Sequence, residues 1–97
     1  MYFVILTTDK ANSTHIRQET RPAHLEYAKR FAGQIVAGGA TLTDDGQVMT
    51  GSFLLVDMVD RAAVDEFVRN DPYVKAGLFD KVEIRRWLRV IFNPPQE

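Results

Sequence analysis

Ninety-seven residues, 45% hydrophobic and 26% charged, suit one globular domain over residues 1–97 and exclude wholesale disorder. Twelve basic against thirteen acidic side chains leave a net charge of −1, so nucleic acid is not the expected partner; nor is a membrane, because no apolar run approaches the ~20 residues of a spanning helix. Cysteine is absent, which removes disulfides and thiolate chemistry; with no basic flank before the apolar N-terminus, a cytoplasmic setting is expected.

Residues 2–6 form an unbroken apolar run closed by Thr7-Thr8-Asp9-Lys10, the pattern of a buried first strand. After a polar connection at residues 11–14, Thr20 with Pro22 close behind predicts a helix start. Leu25, Ala28, Phe31, Ala32 and Ile35 recur at three- and four-residue intervals as that helix's apolar stripe, and Gly38-Gly39 predicts its stop. Residues 40–43 read as a short strand and Asp44-Asp45-Gly46 as a hairpin turn. Residues 48–58 follow as a strand whose Phe53-Leu54-Leu55-Val56 segment is apolar enough to be covered on both faces.

Asp60 caps a second helix with Val64, Phe67 and Val68 inward. It must end near Asn70-Asp71, because the residue before Pro72 is driven out of the α region. Residues 72–77 fit one further helical turn closed by Gly77, and alternation over residues 82–92 predicts a long last strand before Pro94-Pro95. The order β-α-β-β-α-β predicts an α+β, ferredoxin-like sandwich. Two helices cover one face of its sheet and leave the other bare. Trp87, Ile91 and alternate residues of the 48–58 strand would form a large apolar patch there, so a homodimer packed sheet to sheet is expected.

Few residues carry chemistry. No glycine-rich phosphate loop is present, and His15 and His24 lack the i, i+4 spacing of a metal-binding helix pair, so neither a nucleotide cofactor nor a metal is expected. His24 opens the first long helix at the edge of the stripe that begins at Leu25, either as a histidine covering the core rim or as a general base, since free imidazole titrates near 6.5. Asp71 is a good N-cap for the turn at Pro72. The two helices of this sandwich run roughly antiparallel, which would also bring Asp71 to His24 to hold one imidazole nitrogen. Arg21 lies one turn before His24, placed to steer an anionic oxygen or to pair with Glu19 or Glu26. Asp9, Ser52 and Tyr73 complete the expected substrate-binding residues, although Asp9 also suits a turn, Ser52 a strand start and Tyr73 the sheet edge. Arg85, Arg86 and Arg89 are split across two strand faces and form no basic patch.

Taken together, Arg21-x-x-His24-Leu25-x-Tyr27, Gly51-Ser52, Asp71-Pro72-Tyr73, Ala76-Gly77-Leu78 and Val82-x-Ile84-x-x-Trp87 resemble the YCII-related family of small bacterial proteins over nearly the whole chain. The resemblance implies a dimeric ferredoxin-like fold of the α/β barrel type and a pocket holding a His–Asp pair, which maps onto His24 and Asp71. It also implies a cofactor-independent, lyase-type activity, dehydrochlorination of a chlorinated hydroxyhydroquinone, with a hydroxyaromatic or quinone as substrate. Two other functions fit the same fold: a non-catalytic small-molecule-binding or regulatory dimer, and a cofactor-free monooxygenase or isomerase.

Overall fold

The computed structural model describes residues 1–95. Seven elements follow one another: β1 (Tyr2–Asp9), α1 (Thr14–Arg30), β2 (Ile35–Leu42), β3 (Met49–Asp57), α2 (Arg61–Arg69), α3 (Pro72–Lys75) and β4 (Phe79–Arg86). The strands form one antiparallel sheet in the order β2-β3-β1-β4. Each long helix connects strands that are not neighbours, so the architecture is the expected ferredoxin-like βαββαβ sandwich, with α3 added before β4.

Strand alternation sends Phe3 and Ile5 of β1, with Leu54 and Val56 of β3, towards the helices. There they join Met58, Val64 and Phe67 in one buried cluster, against which Tyr27, Phe31 and Ile84 pack. Phe31 meets Phe67 edge-on at 4.7 Å, which ties α1 to α2. The opposite face carries Leu6 and Phe53, 36% and 39% exposed. Phe53 and Leu55 are therefore not covered on both sides within one subunit.

Several boundaries depart from expectation. Helix α1 begins at Thr14, not at Thr20, with Ser13 as N-cap residue, and Pro22 lies inside it. Packing over a 17-residue helix outweighs the one backbone bond a proline removes. Helix α1 ends at Arg30, before the glycine pair, and Ile35, Gly38 and Gly39 belong to β2. The Gln34 and Ile35 amides both donate to the Phe31 carbonyl, turning the chain sharply into the sheet. β-branched Ile35 and Val36 then favour the extended state.

The last strand runs over Phe79–Arg86, so Leu88, Val90 and Phe92 continue its alternation in sequence but lie outside the sheet, exposed. The second helix follows expectation: the Asp60 side chain accepts from the Ala63 amide, and Asn70 is the C-cap. Gly77 closes α3 with φ +73°, a left-handed conformation that suits glycine. Among the described residues no helix is long and apolar enough to cross a membrane.

Candidate active site

The earlier start of α1 changes what its inner face carries. At 100° per residue, Arg17, Arg21, His24 and Ala28 fall within a sector of about 60° on a helix. This stripe faces the sheet beside β2 and β3 and lines a cavity of about 220 Å³ with Ser52 and Tyr73. Only the later part of α1, through Tyr27 and Phe31, packs on the core. Leu25, expected in the core, is 47% exposed and forms part of the cavity wall. On the sheet side the wall includes Gly38, Gly39 and Ala40, beside Ile35, Met49, Ser52 and Leu54. With no side chain larger than a methyl, Gly38, Gly39 and Ala40 leave room for a planar ring.

His24 and Asp71 meet across this site: Nδ1 of the imidazole lies 3.0 Å from Asp71 Oδ1. The same oxygen accepts from the Tyr73 amide at 2.9 Å. Asp71 thus caps α3 and is fixed in the same geometry that presents it to His24. The Tyr73 ring stacks on the imidazole, with centroids 4.0 Å apart and planes 18° from parallel. Both the tilt and the position of the imidazole are therefore held, and Nε2 is the nitrogen left for a ligand. Asp71 sits behind His24 and does not itself line the cavity.

Arg17 is a candidate site residue that the sequence did not single out. It is buried, its Nε and Nη2 bind the two carboxylate oxygens of Asp9 at 2.8 and 2.9 Å, and its guanidinium carbon lies 4.9 Å from the Tyr73 ring centre. The hydrogen bond to Asp9 outweighs the desolvation of the guanidinium and raises its pKa, holding it charged. Its spacing from Arg21 and His24, i, i+4 and i+7, was the available signal. A helix begun at Thr20 hid it.

Asp9 is accordingly not among the cavity-lining residues; its carboxylate is occupied by Arg17. The buried Ser52 hydroxyl accepts from Thr7 Oγ1 at 3.0 Å and from Arg17 Nη2 at 3.4 Å, so its own O–H remains to donate into the cavity. Burial raises the pKa of the Tyr73 phenol, against the opposing charges of Arg17 and Arg21, which favours its neutral form. Arg21 is exposed at the cavity mouth. His15 and His24 are nine residues apart on α1, about 180° around a helix, and no group of three or more potential metal ligands is present among the described residues.

Three similar proteins bear on this site. 5-Chloro-2-hydroxyhydroquinone dehydrochlorinase from Burkholderia phenoliruptrix, solved in complex with 2,5-dihydroxybenzoquinone, is 37% identical. It superimposes with a TM-score of 0.87 over 93% of this chain and 96% of its own. Protein YciI of Escherichia coli is 30% identical over 93% of this chain and 99% of its own length. The derivative of benzaldehyde biosynthesis cluster protein C of Emericella nidulans is 34% identical over 77% and 85%. With a model of the YCII-related domain matching residues 1–88, this chain belongs to the YCII-related family.

Proposed function

We propose that this protein is a cofactor-independent lyase in which His24, oriented by Asp71, is the general base for elimination from a hydroxyaromatic ring. The observation that carries the proposal is the 3.0 Å contact between His24 Nδ1 and Asp71 beside a cavity that has room for one ring. Likeness to a dehydrochlorinase solved with a quinone supports the choice of substrate class.

His24 Nε2 removes a proton from a ring hydroxyl, which becomes a carbonyl as the carbon bearing chlorine takes up a proton. A second hydroxyl then loses its proton, its electron pair closes a second carbonyl, and chloride leaves with its bonding pair. The sum is loss of HCl and formation of a quinone, with no electrons passed to an external acceptor. Asp71 stabilises the imidazolium formed in the first step. Negative charge developing on the ring oxygens is met by the Arg17 guanidinium and the Ser52 O–H, both fixed before the substrate arrives. The neutral Tyr73 phenol lies alongside as a further donor.

The assembly that completes this proposal is a homodimer in which the Leu6 and Phe53 faces of two sheets cover each other. Chloride release from 5-chloro-2-hydroxyhydroquinone tests the chemistry. Wild-type protein should release chloride from this compound. His24→Ala should lose roughly 10²–10⁴-fold in kcat with its fold intact. A wild-type protein that binds the ring without turnover, or a His24→Ala variant with unchanged kcat, would contradict it.

A further inference from the structure

The ring-sized cavity is not the only hollow on this side of the molecule. A second, of about 300 Å³, adjoins it and shares Arg17, Arg21 and Met49 with it. Its other walls include Thr14 and Gln18 of α1 and Gln47 and Val48 of the β2–β3 hairpin. Among the described residues no carboxylate lines either space. The Asp45 carboxylate, nearest to Gln47 in the hairpin, accepts from Thr43 Oγ1 at 2.6 Å and from the Gln47 amide at 3.0 Å.

The two arginines differ in their partners. Arg17 is paired with Asp9 through two bonds, whereas Arg21 has no carboxylate within ion-pair distance among the described residues. Thr14 begins a 17-residue helix whose first turn holds no acidic residue, so the positive end of the helix dipole adds to the Arg21 charge. The amides of Gln18 and Gln47 offer neutral donors on either side. The charge of Arg21 is felt in the inner cavity too, where it opposes the rise in the Tyr73 pKa.

The geometry points to the outer hollow as a second binding subsite, in which Arg21 selects substrates that carry an anionic side arm, a carboxylate, on the ring held by His24. This deepens the proposed function and rests on it: the inner cavity takes the hydroxyaromatic ring and the outer one takes the arm. A bare dihydroxyquinone would fill only the inner part. Arg21 is then a specificity-determining residue, set one helical turn from the base so that arm and reacting hydroxyl are read together.

Titration with 2,5-dihydroxyphenylacetate and with 2,5-dihydroxyphenylacetamide tests this, because the two differ in the charge of the arm and little in size. Wild-type protein should bind the acid about tenfold more tightly than the amide, and the preference should shrink as salt is raised. Arg21→Gln should bring the acid-to-amide ratio to about one. Gln18→Glu, an exposed substitution on the same face, should also bring it towards one, because the new carboxylate offsets the Arg21 charge. Equal binding of acid and amide by wild type, or a preference that persists in Arg21→Gln, overturns the subsite while leaving the inner cavity as proposed. Binding of neither compound, nor of 2,5-dihydroxybenzoquinone, overturns the hydroxyaromatic site itself and the subsite with it.

Discussion

Asp71 does two things with one oxygen, and they can be separated. Its Oδ1 caps α3 through the Tyr73 amide and faces His24 Nδ1. Asparagine caps a helix about as well as aspartate, so Asp71→Asn should change stability by less than about 1 kcal/mol in urea denaturation. The lost negative charge no longer favours the imidazolium, and kcat should fall roughly 10²–10⁴-fold. An unchanged kcat would show that the carboxylate serves the cap alone. The pair was legible only through the fold, because 47 positions separate its members. What made it visible was the antiparallel course of the helices. Arg17 needed the true helix start, and Asp9 was read without its partner because nothing in Thr8-Asp9-Lys10 reveals which carboxylates a fold will bury.

At the scale of the element, the sheet sets the position of Ser52 through its neighbour. A Cβ on Gly51 would lie 2.0 Å from the Thr7 carbonyl oxygen and 2.9 Å from its carbon, backbone atoms of the adjoining strand that cannot rotate away. Gly51→Ala should force β1 and β3 apart and destabilise the protein by on the order of 3 kcal/mol. It should also disturb the Thr7–Ser52 hydrogen bond. A chemical-denaturation midpoint equal to wild type would show that the strands accommodate the methyl group.

The same strand illustrates which boundaries sequence could and could not place. Residues around β3 and α2 were readable because apolar runs, Asp60 and Pro72 each impose a local rule. The end of α1 was not. Ile35 fits a helical stripe by spacing alone, and only its pairing with Val56 places it in β2. At the other end of the sheet, alternation carries on past Arg86, but β1, the strand that pairs with β4, begins at Tyr2, whose carbonyl accepts from the Trp87 amide, so residues 88–92 face no partner strand.

For the molecule as a whole, one helical layer over one sheet leaves apolar side chains in water. A chain of this size buries only about 60–70% of its unfolded surface, and Leu6 and Phe53 remain over a third exposed on the open face. If a second copy covers that face, Phe53→Asp places two unpaired carboxylates in a dry interface. Sedimentation velocity should then show a monomer at concentrations where wild type is a dimer. Wild type sedimenting as a monomer would contradict the proposed assembly. The βαββαβ order and the bare sheet face were legible from hydrophobic patterning. The cavity was not, because it arises where Gly38 and Ala40 of one edge strand lie opposite the polar half of α1, a relation no local pattern contains.

The claim on which these effects converge is that the imidazole held by Asp71 faces a hydroxyaromatic ring. A crystal structure of this protein with 2,5-dihydroxybenzoquinone tests it most directly. The ring should lie in the inner cavity with one oxygen about 2.6–3.2 Å from His24 Nε2. A ring bound on the open sheet face, or in the cavity with its oxygens turned away from His24, would contradict it.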